Sequence, residues 1–184
     1  MALVAFLRGI NVGGHRAFRP AALARELALL DVANIGAAGT FVVGGPVTAA
    51  RLRAELVRRL PFDAEIAICR GAEVESLVAR SPFAKEPARP GLIRFVSVLT
   101  RRPRSPRAVP ARIPSTGEWF VRILGQDGSF VFGVHRRHMR AIGHLRAIER
   151  LYGVPVTTRS WETIRAVAGE IAVRRGLSRK KPRN

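Results

Sequence analysis

Residues 7–14 read Leu-Arg-Gly-Ile-Asn-Val-Gly-Gly, and they follow directly on the continuous apolar run Ala2–Leu7. An unbroken run of this length, ended by a basic residue and glycines, predicts a first β-strand buried on both faces. Glycine-rich segments at the end of a buried strand are common binding loops, because the backbone there is accessible and lacks side-chain bulk. The loop has no Lys-Ser/Thr pair of a phosphate-binding P-loop and does not match G-x-G-x-x-G. Two readings stand: the glycines permit tight turns, with Asn11 bonding its own loop. Alternatively, the Gly13 and Gly14 amides donate to an anion while Arg8 supplies a planar fork.

After the glycine loop, Pro20 suits the first turn of a helix to about Leu30, with Leu23, Leu27 and Leu30 at helical spacing. Strands are expected over 33–38 and 40–43, then a helix capped by Thr48 and ended by Pro61, then a strand over 64–69. The order β-α-β-β-α-β is the split βαβ or ferredoxin-like arrangement. Beyond it the pattern is less regular: a helix over 73–79, a strand over 92–99, and a proline-broken loop over 101–114. A hairpin is expected over 119–124 and 129–134 around Asp127-Gly128, with helices over 138–152 and 161–173. The expected class is α+β, a ferredoxin-like module over 1–70 followed by a second, smaller α+β module over 71–173. Residues 174–184 are expected to be a disordered basic tail.

The 184 residues hold 32 Lys+Arg against 13 Asp+Glu, a net charge of +19. Lysine occurs only at 85, 180 and 181, so the excess is arginine, and GC-rich codon usage is one source of such a bias. Whatever its origin, the field attracts anions and favours nucleic acid. Cys69 is the single cysteine, which excludes an internal disulfide and fits a reducing cytoplasm. The opening has no basic n-region and no stretch is long enough to span a membrane, so neither a signal peptide nor a membrane partner is expected.

The stretch Val4–Gly14 resembles the start of the domain-of-unknown-function family 1697, uncharacterised bacterial α+β proteins. Ser81-Pro82-Phe83 is similar to that family's Asn-Pro-Phe, and Thr157-Thr158-Arg159-Ser160-Trp161-Glu162-Thr163 to its Thr-Thr-Arg-Asn-Trp-Asn-Thr. This chain departs from the pattern at Ala38-Gly39-Thr40, where the family has Ser-Gly-Asn, and at Ser160 and Glu162, where it has asparagines. The resemblance implies an α+β fold with ferredoxin-like units and no established activity.

Two further groupings carry chemistry. Thr158, Arg159 and Trp161 join a hydroxyl, a guanidinium and an indole just before a helix, read either as cap and core or as an anion clamp with a stacking platform. Basic clusters fall at Arg101, Arg102 and Arg104, at Arg136, Arg137 and Arg140, and at Arg174 and Arg175. Together they fit an extended anionic partner. The four histidines have no cysteine or carboxylate at ligand spacing, so no metal or other cofactor is expected. No nucleophile elbow is present. The leading expectation is an anion-binding module for nucleic acid or a phosphorylated metabolite, using Arg8, Asn11, Gly13 and Gly14 with the basic surface. The alternatives are an enzyme acting on a small phosphorylated or carboxylated substrate and a homodimer without ligand; a monomer is equally compatible with the sequence.

Overall fold

The apolar opening run forms β1 (Leu3–Leu7), all five residues buried, in the interior of a four-stranded sheet. A computed structural model describes residues 1–10, 18–103, 109 and 111–180. Its internal contacts divide the chain into Met1–Ala79 with the segment from Glu162 onward, and Arg80–Trp161.

The first unit continues with α1 (Pro20–Glu26), β2 (Val32–Asn34), β3 (Thr40–Val43), α2 (Ala49–Arg59), β4 (Ile66–Arg70) and α3 (Gly71–Ala79). The sheet order β2-β3-β1-β4, antiparallel throughout, is the ferredoxin-like order expected of a β-α-β-β-α-β chain. Leu3, Ala5 and Leu7 point to one face and pack with Phe41 and Val43, under Leu23 of α1 and Leu52 and Leu56 of α2. Thr48 caps α2, its hydroxyl accepting from the Arg51 amide at 3.2 Å.

Local conformation trims several expected elements. The expected helix to Leu30 stops at Glu26, because the chain tightens into a 3-10 turn over Ala28–Leu30 and Asp31 takes a left-handed φ of 51°. The strand expected over 33–38 stops at Asn34, where Gly36 and Gly39 adopt positive φ and bend the chain. The helix expected to end at 173 runs on as α5 (Trp161–Lys180), so the first seven residues of the expected tail are helical. Arg174 binds Asp31 and Glu170, and Arg175 binds Glu75, which anchors this helix to the first unit.

The second unit comprises β5 (Leu92–Leu99), β6 (Ala111–Ile113), β7 (Val121–Asp127), β8 (Phe130–Arg136), α4 (Met139–Tyr152) and β9 (Val156–Ser160). Its sheet order is β6-β7-β8-β5-β9, and four of its five strands precede the helix instead of alternating with helices. β6 lies inside the segment expected as a loop, and β9 was not expected at all. Phe95, Ile123, Val131, Ile148 and Tyr152 build the core between this sheet and α4. Gly133 faces Phe95 across the β5–β8 register, and a Cβ there would run into the Arg122 carbonyl oxygen and the Phe95 ring.

On α2, hydrogen bonds from Arg58 at 2.9 Å and from Arg59 hold the Glu55 carboxyl near 2, below its usual 4.5. A carboxylate with a depressed folded pKa stabilises above its unfolded value and loses that contribution as pH falls through the folded one. Glu55→Gln is therefore expected to lower the thermal midpoint at neutral pH. The gap to the parent protein should close between about pH 4.5 and about pH 2. A gap that persists unchanged at the acid end would show that charge is not its cause.

Candidate nucleic-acid interface

Charge is divided unequally between the units. Residues 80–161 contain sixteen basic and four acidic side chains, a net charge of +12, against sixteen and nine in the rest of the chain. Those few acids cannot neutralise the surface of the second unit.

Three of the unit's arginines, 140, 146 and 150, lie on α4, with Glu149 its one acid. The His138 imidazole opens the helix, Nδ1 accepting from the Arg140 amide at 3.1 Å, and Gly153 closes it in the left-handed region at φ 65°. Ala141, Ile148 and Tyr152 are buried, whereas Met139, Arg140, Ile142, Gly143, Arg146 and Arg150 are exposed. The helix period of 3.6 residues produces this division. Arg136 pairs with Leu92 in the β5–β8 register, and Val156 pairs with Leu99 at the opposite end of β5. The 14-residue α4 therefore runs the length of β5, about 21 Å at 1.5 Å per residue. Arg137 stands exposed before its start, and Arg101 and Arg102 stand exposed just beyond the end of β5. Among the described residues, Arg137, Arg140, Arg146 and Arg150 take part in no ion pair.

Arg136, expected beside Arg137 and Arg140, instead ends β8 and meets an aromatic group. Its amide donates to the Phe120 carbonyl at 2.9 Å, which brings Trp119 alongside. The Arg136 guanidinium carbon lies 4.9 Å from the indole centroid and that of Arg122 lies 5.2 Å from it. Arg122 is tied to Glu86 at 2.5 Å, and the Glu86 carbonyl also accepts from Arg94 at 2.6 Å. Arg136 is tied to Glu118 at 2.9 Å, on a carboxylate 62% exposed, whereas Glu86 is only 14% exposed. Sequence reasoning passed over Trp119, Arg122 and Glu86. Counting back along both arms from the Asp127-Gly128 turn could not find them, because a bulge between Ile123 and Gly125 shifts the register and sets Phe120, with Trp119 next to it, across from Arg136.

The other expected site residues fare differently. Asn11, Gly13, Gly14 and Arg104 lie outside the described residues. Arg8 follows β1, its amide donating to the Glu65 carbonyl at 2.9 Å. It lines a cleft of about 350 Å³ with Val57, Phe62, Asp63 and Glu65, whose lining thus holds two acidic residues and one arginine. Thr158, Arg159 and Trp161 belong to the second unit and Arg8 to the first. Thr158 exchanges a hydroxyl hydrogen bond with Ser97 at 2.7 Å. Arg159 is buried on β9, bonding the Thr157 hydroxyl at 2.7 Å and the Thr158 carbonyl at 2.9 Å. Burial pulls its guanidinium down to about 10. Trp161 is buried edge-on against Phe83, ring centroids 5.0 Å apart, so it is a core side chain and not an open stacking platform. Arg174 and Arg175 are bound to acids, which leaves them little capacity for a ligand.

Cys69 is buried, and that burial pushes its thiol up to about 12, far from a reactive thiolate. Among the described residues no group of three or more histidines, cysteines or carboxylates is placed to hold a metal ion. No helix among them is long and apolar enough to cross a membrane.

Comparison with known proteins bears on the fold. The structure of the conserved bacterial protein SP0830 from Streptococcus pneumoniae is similar over 93% of this chain and 98% of its own, with a TM-score of 0.59 and 14% identity. At that identity the likeness concerns the fold alone. No curated protein matches the chain. The family model described as a protein of unknown function, DUF1697, matches residues 1–123, which takes in the whole first sheet and reaches into β7. On that match, over more than half its length, the chain belongs to the DUF1697 family.

Proposed function

We propose that the second unit binds extended polyanions, nucleic acid foremost, along the outer face of α4. The observation that carries this reading is the row of exposed arginines 137, 140, 146 and 150, without acidic partners among the described residues, on a unit of net charge +12. Guanidinia make bidentate contacts with phosphate, and a run of about 21 Å suits a chain of phosphates better than one phosphorylated metabolite. The Arg8 cleft supports an anion less well, since Asp63 and Glu65 share it.

Each neutralised phosphate releases condensed counterions, so affinity for duplex DNA should fall with salt at a log–log slope near −0.9 per contact. Four contacts give a slope of about −3 to −4. Binding to unrelated DNA and RNA duplexes, followed by fluorescence anisotropy across a salt series, is the test. The expected result is tight binding at low salt, little sequence preference and that slope. Absence of binding at about 50 mM salt, where such contacts are strongest, would overturn the reading.

A further inference from the structure

We infer that Trp119 is a base-stacking platform and that the second unit prefers single-stranded to duplex nucleic acid. This inference rests on the polyanion reading above and adds to it the form of the ligand. Trp119 is half-buried and sits at the end of the sheet from which Arg137 and α4 emerge, so it adjoins the arginine row.

The two guanidinia over its ring are held unequally. Arg122 is anchored by a largely buried carboxylate whose backbone also secures Arg94, and it belongs to the scaffold. Arg136 is held by Glu118, whose carboxylate is 62% exposed. An exposed ion pair contributes about 0–1 kcal/mol, and an exposed cation–π contact about 0.5–1 kcal/mol. Stacking a nucleobase on an aromatic side chain contributes about 1–3 kcal/mol. A strand that offers a phosphate to Arg136 in place of Glu118, and a base to the indole it uncovers, gains more than it displaces. The ligand must present a phosphate and an unpaired planar base within one nucleotide of each other. A duplex keeps its bases stacked inside and offers only the phosphates.

The chain has two tryptophans, and Trp161 is buried against Phe83. Trp161→Phe leaves Trp119 as the sole tryptophan reporter. Its emission is expected to be quenched on saturation with a thymidine oligonucleotide of about 16 residues, and to be unaffected by inorganic polyphosphate. In the parent protein, Trp119→Ala should weaken binding of that oligonucleotide about ten-fold or more. It should leave affinity for polyphosphate and for a duplex of equal length unchanged, and Trp119→Phe should restore much of the loss. The polyphosphate arm also reports whether the variant keeps its folded basic surface.

Equal loss for all three ligands, no loss for the oligonucleotide, or silent emission at saturation would each overturn the inference. Quenching by thymidine monophosphate as strong as by the strand would overturn it too, in favour of a free nucleotide. If polyphosphate and duplex bind but the single strand has no advantage, this inference fails and the polyanion reading stands. If none of them binds at low salt, both fail.

Discussion

Reversal of charge along α4, with Arg140, Arg146 and Arg150 all replaced by glutamate, is expected to abolish nucleic-acid binding at physiological salt. Removing three phosphate contacts should flatten the salt slope by about 3. At 0.1 M salt the counterion term for three contacts corresponds to several hundred-fold in affinity, and the added negative charges repel the backbone further. The fold should tolerate the change, because these side chains are exposed and make no ion pair among the described residues. Surface substitutions of this kind usually shift stability by less than about 0.5 kcal/mol. Circular dichroism and the thermal midpoint check that the protein stays folded, and anisotropy measures the binding. A triple variant that binds with undiminished affinity and slope would place the interface elsewhere.

The largest loss of stability is expected from Phe95→Ala. Phe95 has no exposed surface, lies on β5 between β8 and β9, and packs with Val121, Ile123, Val131, Ile148 and Tyr152. Its ring also covers the backbone at Gly133, which has no side chain to move into the void. Truncating a buried phenylalanine costs about 3–5 kcal/mol through lost transfer energy and the cavity left behind. That is a large part of the 5–15 kcal/mol that holds an ordinary domain together. Chemical denaturation followed by tryptophan fluorescence should show the midpoint fall accordingly. A loss below about 1 kcal/mol, far under the usual range, would contradict the packing described for β5.

The elements legible in the sequence are those whose burial follows a simple period. β1 is apolar on both faces and announces itself as a run, and α2 carries a cap, an apolar stripe and a terminating proline. β9 escaped notice because its sequence Val-Thr-Thr-Arg-Ser looks polar. Its polar groups enter the interior already satisfied, Thr158 by Ser97 and Arg159 by Thr157 and Thr158. A period-based reading sees composition and not partners. β6 is three residues of edge strand and depends entirely on β7.

The same limit governs the candidate site. The exposed arginines of α4 were legible because a helix displays them locally. Arg174 and Arg175 read as free tail charge, since their partners Asp31 and Glu75 lie 143 and 100 residues away. Trp119 acquires meaning only once β7 and β8 are set in register. Contacts made across a sheet or between distant segments were the part that local pattern could not supply.

The second unit is one continuous segment, Arg80–Trp161, enclosed between the two stretches of chain that make up the first. A ribosome delivers residues in order, so the enclosed unit has all its strands before the last helix of the first unit emerges. Until then the turn at Asp31 lacks Arg174, Glu75 lacks Arg175, and Ile171 is missing from its place beside Gly71. The nascent chain thus finishes its middle first and seals its beginning last. A chain cut after Ala79 would carry every strand of the first sheet and still lack the helix that closes it.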